Sequence, residues 1–235
     1  MKITTWNIRH GGGATRVEGV LNELELVKDS DIIVLTEFRN NSFGKRISAH
    51  LSYLGYKSRF SPSTDANTNT VLVASKIDLE FSIIDELNEH SHRIVRAANH
   101  ELILYGAYFP QREKKAIVFS HLEKHSRLEK EVLPIVITGD LNTGIHFIDE
   151  AGKQFYCTNE FIKLLESGFV DAWRVHNGDT QEFSWYSNSG NGFRLDHFLV
   201  SAKQASLIHN CFYIHKPREN RVSDHSIMSL QLSIE

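Results

Sequence analysis

The sequence predicts a single α/β domain in which two packed β-sheets are flanked by helices. Many short segments are rich in Val, Ile, Tyr, Phe and Thr, as β-strands are, and helical patterns lie between them. Stretches such as 71–108 contain no helical crossover, so much of the strand pairing is expected to be antiparallel. No repeat or long linker interrupts the 235 residues, and we therefore predict one domain, 1–235.

Each predicted strand is a short apolar run bounded by turn residues. In chain order the strands are Ile3–Trp6, Ile32–Thr36, Tyr56–Phe60, Val71–Ser75, Phe81–Asp85, His92–Ala97, Leu102–Tyr108, Ile135–Thr138, Phe183–Trp185, Asp196–Ser201, Cys211–His215 and Ser226–Leu232. The run Thr64–Thr70 is rich in Asn, Thr and Asp, which predicts an exposed loop before Val71.

Four segments carry apolar residues at helical spacing and are predicted as helices. They lie at 17–27, 43–54, 113–131 and 161–165. The third is laced with charges on one face. For the fourth, Thr158 is the predicted N-cap and Gly168 lies just past the predicted end.

The composition disfavours several classes of protein. A net charge of −3 provides no general basic field, which argues against a protein that simply coats nucleic acid. The two cysteines, Cys157 and Cys211, lack the spacing of a disulfide framework or a metal site. The N-terminus begins directly as a strand, and no apolar run approaches the ~18 residues that cross a bilayer. We therefore expect a cytoplasmic protein that does not bind membranes.

Short polar motifs at the ends of predicted strands carry the functional prediction. The motifs are Trp6-Asn7, Thr36-Glu37, Gly139-Asp140-Leu141-Asn142, Arg194-Leu195-Asp196 and Ser223-Asp224-His225. A buried carboxylate is unfavourable unless a cation or a hydrogen-bond partner compensates its charge. These acidic residues, with two Asn and a His, imply one shared cation and one anionic ligand. We infer that the cation is Mg²⁺ or Mn²⁺ and that the ligand is a phosphate ester.

Two of the motifs suit hydrolysis at phosphorus. Asp140 and Asn142 are two residues apart in a segment expected to be extended, so their side chains should point to the same side. A carboxylate can accept a proton from water while an amide holds a phosphate oxygen. His225 with a remote carboxylate suggests an oriented imidazolium. Taken singly, each motif is equally compatible with an Asx-turn or a salt-bridged loop.

As an ordered set, the motifs resemble the endonuclease/exonuclease/phosphatase superfamily. The set is Trp6-Asn7-Ile8, Leu35-Thr36-Glu37, Tyr108-Phe109-Pro110, Gly139-Asp140-Leu141-Asn142, Phe183-Ser184-Trp185-Tyr186, Gly192-Phe193-Arg194-Leu195-Asp196 and Ser223-Asp224-His225. It spans nearly the whole chain. The C-terminal half looks most like the exonuclease III-type AP endonucleases, through 168–174, 183–185 and 194–196.

The resemblance implies a four-layer α/β sandwich, with two mixed β-sheets packed face to face between helices and the site at one sheet edge. It also implies a metal site in which Glu37 is the principal ligand and Asn7 and Asp224 lie close by. Catalytic roles are implied at five positions. Asp140 would align or deprotonate the attacking water, and Asn142 would position it and the phosphate.

The three remaining implied assignments concern the substrate phosphate. Tyr108 would contact the phosphate or the leaving group, and His225, oriented by Asp196, would bind the scissile phosphate.

Four further residues are predicted to contact the substrate. Trp185 would form an apolar wall against the sugar or base, although core packing is the alternative. Arg9 stands where AP endonucleases usually carry a small polar or acidic residue, which suggests a phosphate contact in place of a second metal; a solvated arginine in the Gly11–Gly13 loop is the alternative. Asn69, for which an exposed surface turn is the alternative, and Arg194 complete the predicted set. The short segment 186–193 is a departure from the longer loop of AP endonucleases, and it weakens the prediction of abasic-site capture.

We predict a metal-dependent phosphodiesterase that acts by in-line water attack, a DNA nuclease of AP-endonuclease or 3′–5′ exonuclease type that works as a monomer. The same chemistry on RNA, a cyclic dinucleotide, or lipid or inositol phosphoesters is the first alternative. A non-catalytic binding protein on the same scaffold is the second. That alternative is disfavoured because Asp140, Asn142, Asp196, Asp224 and His225 are all present.

Overall fold

Two six-stranded β-sheets form the centre of the computed structural model, which describes residues 1–127, 133–152 and 154–234. The strands are β1 Lys2–Asn7, β2 Ile32–Phe38, β3 Ser58–Phe60, β4 Thr70–Ser75, β5 Glu80–Ile83, β6 Ile94–Ala98, β7 Ile103–Tyr108, β8 Ile135–Asp140, β9 Phe169–Asp171, β10 Trp185–Tyr186, β11 Gly192–Phe193, β12 Asp196–Ser201, β13 Ile208–Ile214 and β14 Ile227–Leu232. The helices are α1 Gly13–Leu26, α2 Ser42–Tyr53, α3 Lys115–Arg127, α4 Thr158–Glu166, α5 Ala172–Asn177 and α6 Lys216–Glu219. Single 3₁₀ segments cover Asp85–Arg93, Arg112–Lys114 and Ala202–Leu207.

Both sheets are mixed. The first has the order β13-β14-β1-β2-β4-β3 and the second β5-β6-β7-β8-β12-β9, while β10 and β11 form a small hairpin. The parallel pairs are β1–β2 and β7–β8, and a helix connects the strands of each pair, as a parallel connection requires. The β5–β6–β7 run is antiparallel, which confirms the prediction for that part of 71–108.

The layers follow from strands that are apolar on both faces. On β2, Ile32 and Val34 belong to the core between the two sheets, whereas Ile33 and Leu35 face the core under α1 and α2. On the second sheet, residues such as Ile137 pack in the outer core beneath α3 and α4. Each sheet is therefore covered on both faces, and the predicted four-layer sandwich is confirmed.

The polar motifs meet because of this topology. In parallel neighbours the carboxyl ends of the strands coincide, so β1 with β2, and β7 with β8, end at the same edge. The antiparallel strands β14 and β12 begin at that edge, and Asp196 at the start of β12 pairs directly with Asp140 at the end of β8. One edge of the sandwich thus collects the ends of strands from both sheets.

Several local predictions were wrong. Thr158 is the first residue of α4 and not its cap, because Cys157 occupies the cap position with φ +62° while the Thr158 hydroxyl donates to the Gly144 carbonyl. The predicted loop Thr64–Thr70 is one residue too long, since Thr70 begins β4 and is buried. Gly168 does lie past α4, with φ +110°. The predicted end of the third helix, 128–131, falls outside the described residues.

The elements that sequence patterns missed are short. They include α5, α6, β9 and the 3₁₀ segment Asp85–Arg93, which replaces the predicted ends of two neighbouring strands. The cap of α5 is Asp171, whose carboxylate accepts hydrogen bonds from the backbone of Trp173 and Arg174. Within the described part of the chain, no helix is long and apolar enough to cross a bilayer.

Candidate active site

A cavity of about 380 Å³ opens at the shared edge of the two sheets. Six of the residues that the sequence singles out line it, namely Glu37, Asp140, Asn142, Trp185, Asp224 and His225. A larger open depression of about 500 Å³ is lined by Asp78, Glu80, Arg96, Asn99 and His100 among others, and by none of the predicted site residues. The polar edge is therefore the candidate site, although it is not the largest cavity.

Asp140 occupies the centre of the site at the end of β8, and its position depends on Gly139. Gly139 has φ +136°, and a Cβ built there would lie 1.9 Å from the Ala107 carbonyl oxygen. Only glycine fits this turn. The turn brings Asp140 level with Tyr108 on β7 and with Asp196 on β12.

Hydrogen bonds hold both carboxylate oxygens of Asp140. Asn7 Nδ2 donates to Oδ2 at 2.9 Å, and the backbone N–H of Asn142 donates to Oδ1 at 2.9 Å. Asn142 has φ +53°, so the expected extended geometry of this segment was wrong. The Asn142 amide remains near Asp140 Oδ2 at 3.4 Å, because a tight turn and not strand alternation brings the two side chains together.

His225 is held beside Asp140 by Asp196. Asp196 Oδ2 lies 2.8 Å from His225 Nδ1, and the other ring nitrogen is 4.0 Å from Asp140 Oδ2. Burial alone would lower the pKa of His225, but the carboxylates of Asp196 and Asp140 outweigh it and raise the pKa to about 10. The imidazole is therefore a cation at neutral pH.

Asp140 is a carboxyl group with an unusual affinity for protons. Burial raises its pKa to about 7, His225 lowers it in part, and the charges of Asp196 and Glu37 raise it further. The excess of acidic groups means that an added cation would be favourable here. Asp196 Oδ1 is itself buried without a hydrogen-bond partner among the described residues.

Glu37 enters the site from a bulge at the end of β2. The pairing of β2 with β4 shifts between Thr36 and Phe38, and Glu37 has φ +55°. Its Oε2 accepts from the His10 backbone at 2.8 Å, and its Oε1 accepts from the Tyr108 hydroxyl at 3.2 Å. Burial and the Glu37 charge raise the pKa of Tyr108, so this hydroxyl stays protonated and able to donate.

Among the described residues, one cluster of acidic and histidine side chains lies close enough together to hold a metal ion. Ligand atoms of Asp140, Asp196 and His225 lie within 4.8 Å of one another. His225, however, is positively charged and bonded to Asp196, which makes it a poor ligand. Glu37 and Asn7, beside Asp140, provide the oxygen ligands that Mg²⁺ and Mn²⁺ prefer.

A family model described as the Endonuclease/Exonuclease/phosphatase family matches residues 4–225, nearly the whole chain. The chain belongs to this family. The resemblance seen in the motifs is confirmed, and family membership supports phosphoesterase activity. No curated protein sequence matches significantly.

Solved structures share the fold of this family member over its whole length. An AP endonuclease from Archaeoglobus fulgidus has a TM-score of 0.83 at 23% identity, and 99% of each chain is covered. A variant of the 3′ phosphatase NExo from Neisseria, bound to a product DNA hairpin, has a TM-score of 0.83 at 22% identity with the same coverage. The 3′–5′ exonuclease NExo from Neisseria meningitidis has a TM-score of 0.82 at 21% identity, again with 99% of each chain covered.

Aromatic side chains form one wall of the family member's cavity. Trp185 lies with its ring centroid 5.7 Å from that of Phe193 and 6.5 Å from that of His225. Its indole N–H is 3.4 Å from Asp224 Oδ2. Phe155 packs edge-on against Phe193 and also lines the cavity. Trp185 therefore lines the cavity. Phe193 belongs to the motif 192–196 but was not among the predicted site residues, and Phe155 lies outside the motifs.

Arg9 and Asn69 lie at the rim. Arg9 Nε is 3.7 Å from Asp224 Oδ2, and both side chains are about 40% exposed, at 43% and 39%. Asn69 accepts from Arg39 Nε at 2.7 Å and contacts His10 Nδ1 at 3.0 Å. Asn69 therefore supports the His10 side of the rim and does not line the cavity itself.

Arg194 is not at the site, and its prediction as a substrate contact was wrong. Its side chain is fully buried, where Nε donates to Asp149 at 2.7 Å and Nη2 donates to Asp171 at 2.6 Å. Both carboxylates have lowered pKa values; burial acts in the opposite direction, but the Arg194 charge outweighs it. The guanidinium is a structural cation between segments that are distant in sequence.

Lys115 is a cavity residue that the sequence did not reveal. It is 2% exposed at the start of α3, and its ammonium donates to the Asn142 carbonyl. Burial lowers the pKa of Lys115 to about 8, with Asp140 acting in the opposite direction. The helix is rich in surface charges, so nothing in its pattern distinguished this lysine. Its closeness to the Tyr108-Phe109-Pro110 motif was the available signal.

Proposed function

We propose that this chain is a divalent-metal-dependent phosphodiesterase that cleaves DNA, in the manner of an AP endonuclease or a 3′–5′ exonuclease. The observation that carries the proposal is the position of Asp140. It lies between an amide donor, Asn7, and a buried cationic imidazole, His225, in a cavity that Glu37 also lines. Family membership supports the reaction class.

In this proposal Asp140 accepts a proton from the attacking water. A general base works best when its pKa is near the working pH, and burial moves the pKa of this carboxyl group toward neutrality. The hydrogen bonds from Asn7 and from the Asn142 backbone fix the direction of the carboxylate. Water held against Asp140 would thus be aimed at a phosphate in the cavity.

The positive charge of His225 stabilises the negative charge that develops on the phosphate. Asp196 fixes the ring through Nδ1 and leaves the other nitrogen toward the cavity, which His225 lines. The Tyr108 hydroxyl donates to Glu37 Oε1, and one hydrogen of the Asn142 amide donates to the Phe109 carbonyl at 2.9 Å. In this proposal the substrate redirects the Tyr108 hydroxyl and the second Asn142 hydrogen to the phosphate or the leaving group. The reaction is a displacement in which water attacks in line with the departing oxygen.

Glu37, Asn7 and Asp224 are the proposed ligands of Mg²⁺ or Mn²⁺. The carboxylates that meet at this edge fit a cation: burial raises the pKa of Asp140, the charges of Asp196 and Glu37 raise it further, and Asp196 Oδ1 is buried without a hydrogen-bond partner among the described residues. When bound, such an ion polarises a phosphoryl oxygen and neutralises its charge. Arg9 beside Asp224 already provides a positive charge on that side, which favours a single metal.

DNA is the proposed substrate. The cavity volume of about 380 Å³ and its aromatic wall suit a nucleotide next to the scissile phosphate. The similar structures are those of an AP endonuclease, a 3′–5′ exonuclease and a 3′ phosphatase bound to DNA. The same chemistry on RNA is the alternative, and the assay below includes RNA to test it.

The deciding experiment is a cleavage assay on labelled oligonucleotides. Substrates are a duplex with one abasic site, the intact duplex, a duplex with a 3′-phosphate, single-stranded DNA and RNA. We expect cleavage with Mg²⁺ or Mn²⁺, none in EDTA, and recovery when the metal is restored. Asp140→Asn should keep the fold and lose at least ~10²-fold in kcat.

Asp179→Asn is the matched control, because Asp179 is exposed and does not line the cavity. Two results would each reject the proposal. One is the failure of every substrate to be cleaved with either metal. The other is full activity of the Asp140→Asn variant.

A further inference from the structure

A second depression adjoins the active-site cavity. It has a volume of about 200 Å³ and is lined by Arg9, Tyr186, Arg218, Arg221, Ser223 and Asp224. Asp224 lines both cavities, so the two adjoin at this residue. The depression contains none of the residues proposed above to contact the reacting phosphorus.

The depression is strongly basic in a chain whose net charge is −3. Three guanidinium groups line it, and Arg9 alone has a carboxylate partner, Asp224 at 3.7 Å. Among residues 1–127, 133–152 and 154–234, no carboxylate oxygen lies within 4.0 Å of a nitrogen of Arg218 or Arg221. Two arginines without acidic partners, next to a phosphoesterase cavity, favour an anionic ligand.

The surface is held in place by its own contacts. Arg218 Nε donates to Ser226 Oγ at 3.0 Å, and its guanidinium lies over the Tyr186 ring at 4.6 Å. Arg221 follows α6 with φ +58°, and its backbone N–H donates to the Arg218 carbonyl at 3.0 Å. Tyr186 remains 42% exposed, so its ring is available to a ligand.

We propose that this depression binds the nucleotide next to the scissile phosphodiester in a polynucleotide strand. Arg218 and Arg221 hold its backbone phosphate, and Tyr186 offers a ring against which a base can stack. This inference rests on the proposed nuclease function. It adds a second binding subsite on the other side of Asp224. A substrate that fills both subsites must be longer than a single phosphoester.

The consequence is a difference between long and short substrates. A small diester such as bis(p-nitrophenyl) phosphate fills only the catalytic cavity and does not reach Arg218 or Arg221. An oligonucleotide uses both cavities. Loss of the two arginines should therefore weaken oligonucleotide binding and leave hydrolysis of the small diester within about 2-fold, because the catalytic groups are unchanged.

The test compares Arg218→Gln/Arg221→Gln with the wild type over a series of KCl concentrations. For the oligonucleotide we expect KM to rise roughly 10-fold with little change in kcat. Each lost phosphate contact should also make the slope of log(kcat/KM) against log[salt] shallower by ~0.7 for a single strand and ~0.9 for a duplex. Arg221→Lys should restore part of the slope, and Tyr186→Phe should bind better than Tyr186→Ala.

The matched control is Arg46→Gln/Arg127→Gln, which removes the same charge from exposed arginines whose partners are Glu18 and Glu123. A subsite variant with wild-type KM and salt slope would overturn the proposal. So would an equal loss on the small diester.

An equilibrium measurement separates this inference from the proposed function. Fluorescence anisotropy of a labelled oligonucleotide with Asp140→Asn protein requires no turnover. Weaker binding when Arg218→Gln/Arg221→Gln is added supports the subsite even if no cleavage is ever observed. Unchanged binding rejects the subsite even if the wild type is an active nuclease.

Discussion

Asp196→Asn tests whether a buried carboxylate keeps His225 charged. Asp196 Oδ2 and His225 Nδ1 are 2.8 Å apart, and both side chains are buried. An asparagine keeps the size of the side chain, and its amide oxygen can still accept from Nδ1–H. The substitution therefore removes one negative charge and leaves the packing in place.

The magnitude follows from the pKa of His225. It rises from 6.5 to about 10, and at 1.36 kcal/mol per pH unit this amounts to about 5 kcal/mol in favour of the charged ring. Burial opposes the charge, while Asp196, Asp140 and Asp224 favour it, Asp196 most strongly. Without the charge of Asp196, burial opposes only Asp140 and Asp224, and the pKa of His225 should fall well below that of the wild type.

Two measurements follow. In an NMR titration of the metal-free protein in EDTA, His225 should stay charged up to about pH 9 in the wild type and titrate well below that in Asp196→Asn. At pH 8 the kcat of the variant should fall ~10²- to 10³-fold, the range for losing one electrostatic donor. Because the folded pKa is raised, wild-type stability from this pair is complete below pH 6.5 and declines toward pH 10, and the variant should lack that decline.

Asp179→Asn again serves as the control for the change of acid to amide. The reasoning would be refuted by a variant in which His225 titrates as in the wild type. It would also be refuted by a variant that loses the charge on His225 and keeps its kcat, because the imidazolium would then have no part in the reaction.

Two further predictions concern buried cations. Arg194→Met should lower the free energy of unfolding by about 3 kcal/mol in urea, the lower end of the cost of breaking a buried ion pair, because Asp149 and Asp171 lose their shared cation while Arg174 still pairs with Asp149 and His197 still lies 3.3 Å from Asp171. An unchanged urea midpoint would contradict the assigned ion pairs. Because the pKa of the Lys115 ammonium is about 8, this group should lose its charge as the pH rises through that value, and KM should increase above it. In Lys115→Met we expect a higher KM at every pH and no such increase. A wild-type pH profile of KM in that variant would exclude a part for Lys115 in substrate binding.

The fold was predictable because its signals are local. Ile32 to Leu35 are all apolar, which indicates a strand covered on both faces, and the alternate residues do pack in two different cores. Short elements such as α5 failed because six residues carry too little periodicity to detect. Their conformation depends on a single capping carboxylate, Asp171, and on the packing that surrounds it.

The residues of the site were predictable by type, and their partners were not. Arg194 and Asp196 belong to one motif, yet the first is buried against Asp149 and Asp171 while the second holds His225. The two residues are two apart, so strand alternation would place their side chains on the same face. Arg194, however, lies between β11 and β12, where the backbone is not a continuous strand, and only the fold decides the direction of its side chain. Lys115 is the opposite case, a site residue that was not predicted. It belongs to a helix rich in charged residues, and only tertiary contacts distinguish it by burying its side chain.

The sequence pattern did not predict the strained backbone at two residues of the site. Glu37 and Asn142 both adopt positive φ values, +55° and +53°, which non-glycine residues rarely do. Such conformations persist only where surrounding contacts over-determine them, and they concentrate at functional sites. Here the contacts are the His10 and Tyr108 bonds to Glu37 and the Asn142 bond to Asp140. These two strained residues line one cavity together with Asp140, which brings the proposed metal ligand Glu37 and the proposed phosphate contact Asn142 to the same site.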